Sequence, residues 1–219
     1  MTPRRTPVAT ANRTITAQEA VLCVPPQVQD TPVSRLPNPT WAATSPEYRH
    51  ALFSAAQGGH IGCIELLLRA TGRPLAEFAN EHDELCEKML CAAARGGHID
   101  VPSLLLDDPQ LQLDVNAQGF GAVSNGSALH IAATRGDTAL TKILVDRYGA
   151  DVDLAADESF RKCPYEIAAR AGHTETLKFL LSVSAREDAV TNAFHSASRG
   201  AQLGIMAWLV ARYGAKLPP

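Results

Sequence analysis

Seven histidines, five cysteines and several paired acids are the side chains with which this chain could move protons, attack carbonyl groups or hold metals. Their spacing argues against each use. His60, His98 and His173 each follow a glycine in the same local phrase, so their recurrence reads as a structural feature that serves hydrogen bonding. Cys23, Cys63, Cys86, Cys91 and Cys163 form no C-x-x-C pair, whereas zinc sites draw on closely spaced ligands. An odd number of cysteines in 219 residues is no disulfide framework. Reduced thiols packed as small hydrophobes are expected instead. No G-x-S-x-G elbow, no P-loop and no H-E-x-x-H pair occurs. Asp107-Asp108 falls where a helix should end and reads as a solvated loop start. No catalytic residue, metal or cofactor is assigned, and the chain is not expected to be an enzyme.

The bulk properties narrow the partners. A hydrophobic content of 46% is enough for a sizeable core, and a net charge of −3 leaves no basic footprint for nucleic acid. Residues 1–40 hold Arg4, Arg5, Arg13 and Arg35 against Glu19 and Asp30, a local +2 that leaves −5 on the remainder. No stretch approaches the roughly 20 apolar residues of a membrane span. The N-terminus has no unbroken apolar run of a secretory signal, so a cytoplasmic or nuclear location is expected.

The elements that would position any site are repeated. Ala55-Ala56-Gln57-Gly58-Gly59 returns as Ala93-Ala94-Arg95-Gly96-Gly97, Ala132-Ala133-Thr134-Arg135-Gly136 and Ala168-Ala169-Arg170-Ala171-Gly172. A fifth, weaker form is Ser196-Ala197-Ser198-Arg199-Gly200. The last glycines are 38, 39, 36 and 28 residues apart. Such a period means a stacked array. Each glycine is followed by an apolar run, such as Leu140, Ile143 and Leu144, whose spacing puts it on one helical face. Every unit is therefore helix, glycine turn, helix and loop, and neighbouring units must stack to bury their stripes. Ser45 is placed to cap the first helix, with Pro46 at its first position. Pro102 is tolerable only in a helix's first turn, so Asp100 is expected to cap a helix starting at Val101 or Pro102.

Residues 1–40 carry seven prolines and are expected to form a disordered tail, with residues 41–219 forming the repeat domain. The units are placed at about 45–82, 83–121, 122–159, 160–187 and 188–219.

Ser127-Ala128-Leu129-His130-Ile131-Ala132-Ala133 and Cys163-Pro164-Tyr165-Glu166-Ile167-Ala168-Ala169 resemble the T-P-L-H-x-A signature of the ankyrin repeat. Gly149-Ala150-Asp151-Val152-Asp153 resembles that family's finger motif. The resemblance implies an all-α, ankyrin-type solenoid of about five helix-turn-helix repeats with short β-turn loops. The extra length of the early units is assigned to Pro74–Asp83 and Gln118–Ser124. Ser182–Asn192 is too short for a full finger. The signature histidine is replaced by Phe53, Cys91, Glu166 and Phe194, which puts its capping role in doubt in four units.

In that family the fingers and first helices form a concave binding surface. Carried over, the two residues before each turn glycine face it. They supply Gln57 and four arginines, Arg95, Arg135, Arg170 and Arg199. The implied function is protein–protein recognition. The arginines read either as a groove for a protein partner with an acidic segment or as solvated helix ends favoured by the helix dipole. Phe120 and Phe160, in the finger loops, are candidate anchors. The rival reading is a regulatory subunit, or self-regulated enzyme fragment, acting through the N-terminal tail. In the last helix, Ile205, Trp208, Leu209 and Val210 are expected to pack inward. Met206 is taken as the exposed member, and the chain as a monomer.

Overall fold

The computed structural model describes residues 46–71, 85–118, 126–156 and 162–214. The tail, Pro74–Asp83, Phe120 and Phe160 lie outside these residues, as does Gln118–Ser124 apart from Gln118 itself. Among the described residues there are ten helices in five pairs. The first pair is α1 (Pro46–Gln57) and α2 (Ile61–Thr71), the second α3 (Leu85–Gly96) and α4 (Asp100–Leu106). The third is α5 (Ala128–Arg135) and α6 (Thr138–Asp146), the fourth α7 (Pro164–Ala171) and α8 (Thr174–Val183). The last is α9 (Ala189–Arg199) and α10 (Leu203–Tyr213).

The first helices lie side by side, α1 on α3, α3 on α5, α5 on α7 and α7 on α9, and each second helix packs on its own partner. The alanine pairs make this close stacking possible. Ala55, Ala56, Ala93, Ala94, Ala132, Ala133, Ala168 and Ala169 are all buried where the first helices meet. Leucines fill the layer between first and second helices, with Leu52, Leu105, Leu129, Leu140, Leu144, Leu177, Leu180 and Leu209 wholly enclosed.

Each helix pair turns on a left-handed residue, which ends the first helix by returning amide groups to its last carbonyls. Gly59, Gly97, Gly136 and Gly172 have φ of 70°, 78°, 72° and 91° in this role. In the fifth unit the position belongs to Ala201, at φ 53°, and not to Gly200, at φ −87°. The hydrogen bonds agree: Gln202 N donates to Ala197 O just as His173 N donates to Ala168 O. Unit five is therefore read one residue later than its glycine implies. His195, rather than Phe194, occupies its signature place, and the last spacing is 29 residues.

Helix α4 corrects a second expectation. It begins at Asp100, one residue early, after Ile99, and no side chain caps it. Pro102 sits in the first turn, as required. The fingers form tight turns at Asp114–Asn116 and Asp151–Asp153, each closed by an aspartate accepting from the amide two residues on. They are cross-linked: Asp151 N donates to Asn116 Oδ1 at 2.8 Å, and Gln118 Nε2 to Ala155 O at 3.1 Å. Before α9 no finger projects; Ser184 and the Ala185 amide instead donate to the Asp153 carboxylate.

Candidate interaction surface

The residues predicted to read a partner lie at the C-terminal ends of the first helices. Counted back from the left-handed turn residue, Gln57, Arg95, Thr134, Arg170 and Arg199 occupy one register, two positions before it. Gln57, Thr134, Arg170 and Arg199 are exposed, and Arg95 is half-buried. Helix C-termini carry a partial negative charge, so cations are stable there.

Arg135 departs from this row. It stands one residue later, at the place held by Gly58, Gly96, Ala171 and Gly200 in the other units. That place abuts the preceding unit: a β-carbon on Gly96 would collide with the Gln57 carbonyl oxygen, and one on Gly200 with that of Arg170. Arg135 meets the same constraint by bonding. Its guanidinium donates to Arg95 O at 2.6 Å, and its second terminal nitrogen lies over Gly97. The sequence-predicted ladder of four arginines is thus three arginines in register and one arginine used as a joint.

The other joints use the residue after the turn. His173 Nε2 donates to Thr134 O at 2.9 Å, with its ring against Gly136. Gln202 Nε2 donates to Arg170 O at 3.3 Å and lies against Gly172. The His98 ring covers Gly59. In unit three this residue is Asp137, whose Oδ1 accepts from Leu140 N to cap α6, so the joint passes to Arg135. The expectation that the recurring histidines serve structure holds for His173, and sequence reasoning missed that Arg135 and Gln202 do the same work.

The signature position is resolved in the two units closest to the motif. His130 Nδ1 accepts from Ser127 N at 3.1 Å and faces Ser127 Oγ at 2.9 Å, while Nε2 donates to Leu154 O at 3.1 Å. The ring ties the helix start to the finger. Burial pushes its pKa down to about 4, a shift only partly opposed by the backbone carbonyls it meets. In unit four Glu166 takes over, accepting from Cys163 N at 2.9 Å. Lys162 Nζ lies 3.5 Å from the Glu166 carboxylate, and Ser196 Oγ of the next unit lies 3.4 Å from it. The acid therefore replaces the histidine as a cap and adds a link to unit five.

Asp107, expected as a solvated loop start, is exposed but pairs with Arg147 at 2.7 Å and accepts from Tyr148 Oη at 3.0 Å. Cys63, Cys86, Cys91 and Cys163 are buried. Burial raises the Cys86 thiol to about 12, with Glu87 and Asp108 adding to the shift. Among the described residues no three His, Cys, Asp or Glu side chains cluster to hold a metal. None of the described helices is long and apolar enough to cross a membrane.

A family model described as "Ankyrin repeats (3 copies)" matches residues 52–156, 90–190 and 129–218, so its overlapping matches run across nearly all of the described helices. This chain belongs to the ankyrin-repeat family. Ankyrin repeats are a protein-interaction fold whose stacked units build an extended contact surface. A curated relative, the "Transient receptor potential cation channel subfamily A member 1 homolog" of Caenorhabditis elegans, is 33% identical over 132 residues. That match covers 60% of this chain and 10% of the relative, so the chain corresponds to a small part of that protein.

Proposed function

We propose that this ankyrin-repeat chain is a binding module that holds an acidic segment of a partner protein along the C-terminal ends of its first helices. The observation that carries the reading is the register of Arg95, Arg170 and Arg199, with Gln57 and Thr134 completing the row. Neighbouring helices stack at about 8–10 Å, so an extended acidic strand could meet successive units every two to three residues. Arginine suits this role because its fork matches a carboxylate in two hydrogen bonds. Phe120 and Phe160 remain proposed apolar anchors. From the relative we carry over the repeats alone, and channel activity is not proposed.

The test is anisotropy of a fluorescent glutamate-rich peptide titrated with the full chain. The double reversal Arg170→Glu and Arg199→Glu is expected to weaken binding at least tenfold, with a marked dependence on salt. Arg135→Glu, which alters a joint, is expected to have a smaller effect. Unchanged affinity in the double variant would overturn the reading.

A further inference from the structure

Three of the four most exposed large apolar side chains among the described residues lie at the two ends of the stack: Leu66 in unit one, Leu203 and Val210 in unit five. They occupy positions that recur in every unit. Counted from the turn residue, Leu203 is at the second position, where units one to four have Ile61, Ile99, Thr138 and Thr174. Val210 is at the ninth, after Leu68, Leu106, Val145 and Leu181. All eight earlier residues are half-buried, whereas Leu203 is 76% and Val210 52% exposed. The second position faces the following unit, since Thr138 Oγ1 lies 2.8 Å from Thr176 Oγ1 of the next helix pair.

The seventh position faces the other way. Phe179 and Trp208 occupy it in units four and five, and each lies under a lysine of the preceding unit. Lys142 Nζ is 5.8 Å from the Phe179 ring, and Lys178 Nζ is 5.7 Å from the Trp208 ring. In unit one the seventh residue is Leu66, 44% exposed. The residue that would lie over it from a preceding unit is at the sixth position. In unit five that is Ala207, exposed and uncharged, where Lys142 and Lys178 stand in units three and four. Between units three and four, and between units four and five, a lysine meets an aromatic ring; across the ends an alanine would meet a leucine.

We propose that the end of unit five receives the start of unit one of a second copy of this chain. The contact continues, between molecules, the interface that already joins the units within one. Leu203 and Val210 of one copy cover the second helix of unit one in the next, and Leu66 of that copy packs on Ala207. Such a contact joins unlike faces and leaves one of each free, so it extends in a row rather than closing. A single inter-unit face is smaller than a standard protein interface, so the association is weak and appears at high concentration. It replaces the monomer expected from the sequence, and it is independent of the arginine row.

Sedimentation equilibrium of the full chain tests it. The weight-average mass is expected to start at the 23.4 kDa of one chain and rise steadily with concentration. Leu203→Glu and Leu66→Glu, both at exposed sites, are each expected to weaken association at least tenfold, with helical circular dichroism unchanged. Mixed in equal amounts, the two variants retain one intact pair of faces and should stop at twice the monomer mass. A wild-type chain that stays monomeric overturns the proposal. So does Leu66→Glu that still dimerises alone, which would mean like faces pair, or a mixture that forms no dimer.

Discussion

His130 offers the sharpest numerical test of how the middle of the stack is held. Its ring is 2% exposed, and its Nδ1 must stay unprotonated to accept from the Ser127 amide. In the unfolded chain the imidazole takes up a proton near its ordinary 6.5, but in the folded chain only near 4. Between those values the unfolded state binds more protons, so stability falls as pH falls. The full displacement corresponds to about 3 kcal/mol at roughly 1.4 kcal/mol per pH unit. Between about pH 7 and pH 5 the same linkage removes about 2 kcal/mol. His130→Gln does not titrate, and its amide oxygen can still accept from the Ser127 amide in the manner of a capping box. The variant is expected to lose about 1 kcal/mol at neutral pH with the Leu154 bond, but then to weaken less on acidification. Urea unfolding of both proteins at the two pH values gives the double difference, in which the other histidines and the carboxylates cancel. Equal losses in wild type and variant would show that His130 is not held neutral by its surroundings, and the reasoning would fail.

Three further outcomes follow from the same packing. Ala201→Gly removes a non-glycine residue from the left-handed region and should stabilise by about 1 kcal/mol, seen as a rise of about 2–4 °C in melting temperature; an unchanged or lower Tm would contradict the turn assignment. Leu177→Ala, at a wholly enclosed site, should cost about 2–5 kcal/mol in chemical unfolding, and a loss under 1 kcal/mol would mean that units four and five close over the gap. Cys86, buried with its thiol raised to about 12, should resist alkylation until the chain unfolds; mass spectrometry showing native-state labelling at the rate of a free thiol would refute this.

Much of the architecture was legible because it rests on spacing. Alanine pairs, turn glycines and apolar runs at helical intervals specify stacked helix pairs whatever the loops do. Legibility failed where one residue type can serve two places. In unit five a glycine occurs at 200, but the backbone uses Ala201 for the left-handed turn, because Gly200 is needed against the Arg170 carbonyl. Arg135 looked like a member of a surface row, but its position abuts the preceding unit and its guanidinium is drawn to a carbonyl there. In α10 both Met206 and Val210 fit an apolar stripe. Met206 turns out half-buried, and the exposed members are Leu203 and Val210. Which side of the stripe is covered depends on whether another unit follows, and helical spacing alone does not say. Glu166 stood in for the signature histidine without any signal beyond its capping-box spacing from Cys163.

The joints between units carry one more implication. Repeats that look alike invite mispairing during folding, since each alanine-lined helix could dock on any other. Here the joints differ: imidazole between the first and second units and between the third and fourth, guanidinium between the second and third, carboxamide between the fourth and fifth. Ala201 puts a β-carbon where the other four turns have a glycine, so a unit docked out of turn onto unit five would press its joint side chain against it. Each unit is thus tied to the one before by a few atoms whose chemistry is not the same at every joint.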